Sequence, residues 1–217
     1  MTDPIFRLLY PSKCILCEKL LTKGETDLCH SCRQNVPVFT KGKFKISFVA
    51  RWTALWYYKE NVRSSMLRYK FANRRHYGYV YGRLLAMKLL QEGWDDFDVL
   101  TWVPISFRRF WKRGFDQTAL IAKVVGKELG RPARSVLRKH RHTPPQSGIR
   151  DDAARRANVL GAYRVKRPAK IAGKRILLLD DIITTGSTLS ECAKTLMIAG
   201  AEKVICTAVA AAGEHKK

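Results

Sequence analysis

The chain has 217 residues, of which 46% are hydrophobic, and this suits one medium-sized α/β domain with a small appendage. Its 41 Lys and Arg residues outnumber 18 Asp and Glu residues, so the formal net charge is +23 and an acidic or balanced surface is excluded. Such an excess is typical of proteins that bind polyanions, although a basic solubility surface is the alternative. No apolar stretch approaches the roughly 18 residues that cross a bilayer, and Asp3 interrupts the segment where a secretory signal would be apolar. We therefore expect a cytoplasmic protein with no membrane insertion.

Two Cys-x2-Cys pairs, Cys14/Cys17 and Cys29/Cys32, stand near the N-terminus. Four thiolates at this spacing fit one tetrahedral zinc ion in a short ribbon. Zinc would supply the folding energy that about 25 residues cannot obtain from a hydrophobic core. Disulfides are the alternative, and a cytoplasmic location disfavours them. Because sulfur would fill all four positions, we predict a structural zinc site, in a ribbon domain of residues 1–38.

Hydrophobic patterning predicts the next elements. After a linker at Val36–Thr40, the aromatic and β-branched stretch Phe44–Tyr58 predicts a hairpin or an edge strand. Its aromatic side chains either stack on nucleic-acid bases or pack between the ribbon and the main domain. Apolar residues at helical spacing predict helices at Val62–Lys70 and Tyr79–Leu90.

A second buried strand is predicted at Val99–Val103, followed by a cation-rich loop with Arg108, Arg109, Lys112 and Arg113. A helix with an apolar face of Leu120, Ile121 and Val124 comes next. Nearly half of the residues in Arg138–Arg150 are Arg, Lys or His, and its two prolines exclude a helix. We expect this segment to be a mobile flap over an anionic ligand or a strip for a nucleic-acid backbone. A short helix around Arg155 and a strand at Val204–Val209 follow.

The stretch Ile176–Thr188 predicts a buried strand, a loop and the start of a helix. The loop lies at the carboxyl end of the strand, so the free N–H groups of the helix N-terminus make it a phosphate site. Gly186 lets the backbone approach an anion, and the neighbouring residues add hydroxyl groups. Asp180 and Asp181 would repel a phosphate unless they face ribose hydroxyls or Mg²⁺. A sugar phosphate satisfies every part of this loop.

This order of residues resembles the phosphoribosyl-pyrophosphate (PRPP) motif of type I phosphoribosyltransferases. The resemblance implies that Asp180 and Asp181 hold the ribose hydroxyls, with Mg²⁺ bound alongside PRPP. It assigns the 5′-phosphate to Thr184, Thr185, Gly186, Ser187 and Thr188. Many purine-specific members have an acid where Thr184 stands, so the resemblance does not point to purine salvage. The loop after Val99–Val103 ends at the same sheet edge, where its cations could face pyrophosphate, or it is a solvated basic loop.

Together the segments resemble one branch of that superfamily, the ComF family of natural-competence proteins. The matching features are the four-cysteine ribbon, Tyr69-Lys70-Phe71, Val103-Pro104, Arg109, Arg113-Gly114-Phe115-Asp116-Gln117, Thr143-Pro144-Pro145-Gln146-Ser147, Arg155-Arg156-Ala157-Asn158-Val159 and Asp180 to Thr188. The family usually has Asn where Asp116 stands. The resemblance implies an α/β fold, with a type I phosphoribosyltransferase-like parallel sheet flanked by helices in residues 39–217. We divide this domain into a hood of about 39–95 and a core of about 96–217, and place Arg109, Arg113 and Lys70 on the pyrophosphate-side loop.

Two functions from different classes follow. The first, implied by the resemblance, is a competence protein that binds PRPP and handles incoming single-stranded DNA, with a DEAD-box-like helicase as partner. The alternative is a salvage or biosynthetic phosphoribosyltransferase, which transfers phosphoribose to an unidentified acceptor and releases pyrophosphate. A PRPP-sensing regulator that binds RNA or duplex DNA is a third reading. The sequence leaves open whether any turnover occurs. Cys14→Ser is expected to unfold the ribbon and weaken strand binding while leaving the PRPP pocket largely intact.

Overall fold

The computed structural model describes residues 12–42, 44–141, 143 and 152–213. In chain order its elements are α1 (His30–Asn35), β1 (Arg51–Tyr57), α2 (Glu60–Phe71), α3 (Tyr77–Gln91), β2 (Val99–Trp102), α4 (Phe107–Arg113), α5 (Gln117–Glu128), β3 (Leu137–Lys139), α6 (Asp152–Val159), β4 (Tyr163–Val165), a 3-10 turn (Pro168–Lys170), β5 (Arg175–Ile183), α7 (Ser187–Ile198) and β6 (Lys203–Ala211). Most of the predicted flap, residues 142 and 144–150, lies outside the described residues.

A parallel sheet with strand order β1–β6–β5–β2 forms the centre of the main domain. Ile176, Leu177, Leu178 and Leu179 of β5 are fully buried. Leu177 and Leu179 pack in the hydrophobic cluster that includes α3 and α5, whereas Ile176 and Leu178 pack in the cluster that includes α7. A strand covered on both faces needs such a continuous apolar run. The structure thus confirms the predicted α/β class with helices on both sides of a parallel sheet.

The predicted strands and helices occur close to their predicted positions. Only Arg51–Tyr57 of the predicted stretch Phe44–Tyr58 forms a strand, which pairs with β6 at the sheet edge, so the hairpin alternative is wrong. This strand lies in the predicted hood but belongs to the core sheet. The antiparallel pair of β3 and β4 was not predicted. No helix in the part of the chain that the structure describes is both long and apolar enough to cross a membrane.

Backbone hydrogen bonds cover part of both outer strands of the sheet. Tyr57 N donates to Pro37 O at 2.7 Å, so the predicted linker Val36–Thr40 runs beside β1. On the opposite edge, Arg134 N donates to Leu100 O of β2 at 2.8 Å. These contacts use backbone groups that an open sheet edge would present to other chains.

The ribbon packs directly on helix α2. Ser65 donates its hydroxyl to Ile15 O, and Arg68 Nη2 donates to Leu16 O at 2.6 Å. Ile15 and Leu16 are each only 2% exposed, and they share a hydrophobic cluster with Tyr69. The first cysteine knuckle is therefore part of the core rather than a tethered appendage.

The aromatic residues of β1 serve packing. Trp56 is 3% exposed, and its ring centroid lies 6.1 Å from that of Tyr81 on α3. Trp52 packs on Phe39, with ring centroids 5.2 Å apart. Of the two readings offered by the sequence, the structure supports packing between the ribbon, the linker and the sheet.

Candidate functional site

Asp180 and Asp181 lie near the carboxyl end of β5, at the edge where the parallel strands end. Asp180 is 9% exposed and Asp181 is 7% exposed, so both carboxyl groups are largely shielded from bulk water. The backbone N–H of Asp181 donates to Asp180 Oδ1 at 2.8 Å. The edge thus places two oxygen-bearing groups just before the loop that opens α7.

Two helices, α2 and α5, fix the carboxylate of Asp181. Lys70 Nζ on α2 lies 2.9 Å from Asp181 Oδ2. Gln117 Nε2, at the start of α5, donates to the same oxygen at 3.1 Å. The hydroxyl of Tyr69 donates to Gln117 O at 2.7 Å and so ties α2 to α5. Segments far apart in sequence therefore converge on one acid, as the common sheet edge predicts.

The two carboxyl groups have opposite pKa shifts. Burial, reinforced by the charge of Asp181, raises the pKa of Asp180 to about 8. Burial also disfavours ionisation of Asp181, but the charge of Lys70 and the hydrogen bonds from Lys70 and Gln117 outweigh it and hold its pKa below the ordinary value. One negative charge, located on Asp181, is therefore favoured over two charges on the pair.

The loop Thr184–Thr188 joins β5 to α7. Gly186 has φ of +75°, and a Cβ there would lie 2.8 Å from Cγ1 of Ile46. Glycine is therefore needed for both the left-handed backbone and the close contact. The hydroxyls of Thr185 and Ser187 are 2.7 Å apart and share a hydrogen bond. Hydroxyl groups and the first N–H groups of α7 are thus gathered in a geometry that suits a phosphate.

The predicted cation-rich loop after β2 is a helix, so this prediction was wrong. Helix α4 ends at Gly114, which has φ of +72° and donates its N–H to Phe110 O at 2.7 Å. A glycine in this conformation directly after a run of helical residues is a common C-terminal signal. The helix carries Arg109, whose Nη2 donates to Thr143 O at 3.2 Å.

Arg113 comes within electrostatic reach of the acid pair. Its guanidinium lies 5.0 Å from the ring centroid of Phe71. Burial lowers the pKa of Arg113, and the charge of Asp181 opposes that shift. Within the described residues, neither Arg109 nor Arg113 forms an ion pair. No carboxylate of the described residues therefore neutralises these two guanidinium groups.

Lys139, on β3, adds a third cation on this side. Its Nζ donates to Thr143 Oγ1 at 2.8 Å and lies 5.2 Å from the ring centroid of Tyr163. Burial, with the charge of Arg109, lowers the pKa of Lys139 to about 8, and the charge of Asp180 opposes this shift. The site therefore combines a group of cations, Arg109, Arg113 and Lys139, with the acid pair Asp180 and Asp181.

The structure corrects the expected position of Lys70 and shows what Asp116 does. Lys70, placed with Arg109 and Arg113 on a pyrophosphate-side loop, belongs to helix α2 and pairs with an acid instead. Asp116 caps α5: one carboxylate oxygen accepts from Ala119 N at 2.9 Å. Its other oxygen lies 3.5 Å from a second backbone N–H, and its pKa is raised by burial. The acid thus faces backbone donors.

The ribbon cysteines fit a zinc ion. The sulfur atoms of Cys14, Cys17, Cys29 and Cys32 all lie within 4.8 Å of one another, and all four residues are free thiols. Zn–S bonds of about 2.3 Å in a tetrahedron separate the sulfurs by about 3.8 Å. The cluster therefore suits a structural zinc site, as predicted. Cys192 and Cys206 are fully buried in the core.

Sequence reasoning gave no role to Gln117, Lys139 or Thr143. Gln117 ends the segment Arg113–Gln117, and Thr143 begins another matched segment, so the family motif was an available signal for both. Lys139 lies among so many basic residues that no sequence pattern distinguishes it. Only the pairing of β3 with β4 places it beside Tyr163.

Comparisons with known proteins match this architecture. Residues 119–217 match the phosphoribosyl transferase domain family, and residues 5–44 match the double zinc ribbon domain family. The chain is 31% identical over 140 residues to DNA utilization protein YhgH of Escherichia coli O157:H7, covering 62% of this chain and 60% of that protein. Competence protein F of Haemophilus influenzae is 33% identical over 104 residues, covering 47% and 45%. Competence protein ComFC of Streptococcus pneumoniae is 28% identical over 202 residues, covering 93% and 82%.

This chain is a type I phosphoribosyltransferase-like protein with an N-terminal zinc ribbon. Three features define this class: the parallel sheet, the loop that follows the two acids, and the four-cysteine ribbon. Relatives that the chain matches are named for competence and DNA utilization. In this combination of domains the chain resembles the ComF family. It spans about 60% of the length of the YhgH proteins that it matches.

Proposed function

We propose that this protein binds PRPP with Mg²⁺ and handles incoming single-stranded DNA in the cytoplasm during natural transformation. The observation that carries the PRPP part is the buried acid pair at the end of β5, directly before the Gly186 turn and the N-terminus of α7. The competence part is supported by the names of the relatives, and the DNA part also by the net charge of +23.

In this proposal each wall of the pocket meets a different part of PRPP. The loop Thr184–Thr188 holds the 5′-phosphate through hydroxyl and backbone N–H groups. Asp180 and Asp181 hold the ribose hydroxyls and the hard Mg²⁺ ion. Arg109 and Arg113 hold the pyrophosphate, since a guanidinium suits phosphate oxygens. Lys70 fixes the orientation of Asp181 before the ligand arrives.

The test is calorimetric titration of PRPP with MgCl₂ into wild type and Asp181→Asn. Wild type is expected to bind, and the variant at least tenfold more weakly, because the neutral amide lacks the negative charge that attracts Mg²⁺. Asp95→Asn, a change at an exposed acid, is the matched control and should bind like wild type. A well-folded wild-type protein that does not bind PRPP would contradict the proposal.

A phosphoribosyltransferase reaction is the second candidate function. It is favoured by Arg109 and Arg113, which form no ion pair among the described residues and whose charges suit a leaving pyrophosphate. The measurement is pyrophosphate release from PRPP in the presence of candidate bases and of single-stranded DNA. Release above the rate without protein would support turnover, and PRPP binding without any release would assign the pocket to sensing. A helicase partner of the DEAD-box-like type also belongs to the proposal, and pull-down of that purified helicase would test it.

A further inference from the structure

The outer surface of α4 exposes large aromatic side chains. Phe107 is 73% exposed and Trp111 is 72% exposed, and no residue of this helix is buried. The two rings lie one helical turn apart, with centroids separated by 5.9 Å and planes at 75°. Phe110, next to them, is 45% exposed. Exposed apolar groups that cluster in this way usually mark a binding surface.

This aromatic face and the arginines of the pocket lie on opposite sides of one helix. Phe107 and Arg109 are two positions apart, and so are Trp111 and Arg113, which corresponds to about 200° around an α-helix. Arg109 contacts Thr143 O, and Arg113 is within electrostatic reach of the acid pair. Helix α4 therefore has an inner face for the pocket and an outer face turned to solvent.

Positive charge borders the aromatic rings. Arg108 and Lys112 are exposed, and neither forms an ion pair among the residues that the structure describes. The sequence has no acid between Pro104 and Phe115. Aromatic rings interleaved with free cations are the combination that holds single-stranded nucleic acid, through base stacking and phosphate contacts.

We propose that the outer face of α4, defined by Phe107, Arg108, Trp111 and Lys112, is a stacking platform for single-stranded nucleic acid. Bases stack on Phe107 and Trp111, and the phosphates lie near Arg108 and Lys112. This inference rests on the proposed function and adds the site of strand binding. Because every base offers an aromatic face, such a platform accepts strands of any sequence.

The charge and size of the face favour this occupant over the others. A partner that buried only apolar surface would leave Arg108 and Lys112 desolvated without an opposite charge. A lipid surface requires a broad apolar face on the helix, whereas α4 has seven residues, four of them cationic. A nucleic-acid strand supplies bases for the aromatic rings and phosphates for the cations, and a few nucleotides are enough to cover a helix of this length.

The shared helix also couples strand binding to the pocket. PRPP bound to Arg109 and Arg113 would fix α4 and thereby orient the platform on its outer side. Thermodynamic reciprocity then requires that a bound strand increase PRPP affinity by the same factor as PRPP increases strand affinity. We expect this factor to be threefold or more.

The experiment is fluorescence anisotropy of a 5′-labelled oligothymidine of 20 nucleotides, at several NaCl concentrations, with and without PRPP and MgCl₂. The double variant Phe107→Ala/Trp111→Ala is expected to lower strand affinity at least tenfold, since stacking is lost, with an unchanged salt slope. Arg108→Ala/Lys112→Ala is expected to flatten the slope of log affinity against log salt by about 1.4. Tyr79→Ala, which removes another exposed aromatic ring, is the matched control, and circular dichroism verifies folding.

The outcomes separate this inference from the proposed function. A wild-type protein that binds no oligonucleotide overturns DNA handling itself. Wild-type binding that Phe107→Ala/Trp111→Ala leaves unchanged overturns only the stacking platform. Loss of binding to phosphatidylglycerol vesicles in that variant, with strand affinity unchanged, would assign the face to lipid instead. Recovery of strand affinity in Phe107→Ala/Trp111→Phe relative to the double alanine variant would support stacking at position 111.

Discussion

Helices α2 and α4 both bring cations to the acid pair, but the fold holds them in different ways. Helix α2 buries four side chains, Val62, Ser65, Met66 and Tyr69. Its Lys70 is already paired with Asp181. Helix α4 buries none, and its arginines have no ion-pair partner in the described part of the chain. The cation on α2 is therefore already paired in the folded protein, whereas the arginines on α4 keep their charge available for a ligand. Changes on α2 should affect stability first, and changes on α4 should affect binding first.

The largest expected effect comes from removing the zinc site beneath α2. Structural zinc contributes about 10 kcal/mol or more to the folding of small zinc domains, so Cys14→Ser should lose zinc and much of its stability. Because Ile15 and Leu16 accept hydrogen bonds from α2, we expect PRPP binding to weaken as well. The sequence alone led us to expect that Cys14→Ser leaves the PRPP pocket intact. The contacts between the ribbon and α2 replace that expectation. The measurements are zinc content by mass spectrometry, thermal unfolding and amide hydrogen exchange in α2.

Lys13→Ala, beside the same knuckle but exposed, is the control for this change and should keep zinc and stability. Protection of α2 amides that is equal in the zinc-free variant and in wild type would contradict the expectation. It would mean that the hood holds α2 without the ribbon.

Next in size is the loss of the cation that α2 supplies. Lys70→Met leaves the carboxylate of Asp181 without its ion-pair partner, and breaking such a buried pair costs about 3 kcal/mol. The native pKa of Asp181 is lowered, so the contribution of the ion pair is present above about pH 4 and is lost as pH falls through the still lower native pKa. In the variant Asp181 can take up a proton, so the cost should be smaller at pH 5 than at pH 8.

Urea denaturation of Lys70→Met at these two pH values measures the difference. Lys127→Met, a substitution of an exposed lysine on α5, provides the comparison and should change stability by less than about 0.5 kcal/mol. An equal cost at both pH values would exclude the ion pair as its cause.

A pH-dependent effect on stability, rather than a loss at a single pH, is expected at Asp180. Its pKa in the folded protein is raised to about 8, first by burial and then by the charge of Asp181. Between about pH 4 and pH 8 the folded state therefore binds more protons than the unfolded state, and the unfolding free energy should fall as pH rises. Asp180→Asn should remove this decline. Urea denaturation at pH 5, 6, 7 and 8 compares the two slopes, and identical slopes would show that Asp180 ionises normally.

The smallest expected change in stability is on α4. Arg113→Ala removes a half-buried guanidinium that lies over Phe71, and we expect a loss of less than about 1 kcal/mol. PRPP affinity should nevertheless fall at least tenfold, and affinity for ribose 5-phosphate much less, because only PRPP carries the pyrophosphate. Calorimetry with both ligands makes the comparison, with Arg108→Ala on the outer face as control. Equal weakening of the two ligands would remove Arg113 from the pyrophosphate role.

The sequence predicted the parts of the site that are contiguous in the chain. The run Ile176–Thr188 contains the strand, acids and loop in order, so local patterning was sufficient. Lys70 was grouped with the pyrophosphate-side arginines, although its helix was predicted, because its pairing with Asp181 depends on how α2 crosses the sheet edge, which no local pattern records. Helix α4 was missed because its four cations and three aromatic residues obscure helical periodicity, although Gly114 marked its end. The docking of the ribbon depends on tertiary contacts of Ile15 and Leu16 that zinc-ligand spacing does not describe.

The covered edges of the central sheet limit how this protein can meet other proteins. The segment around Pro37 runs beside β1, and Arg134 bonds to β2, so neither outer strand offers a continuous row of free backbone groups. An extended peptide therefore cannot extend the sheet at these positions. A protein partner that binds at these two strands has to recognise side chains instead, and its specificity is then open to change by single surface substitutions.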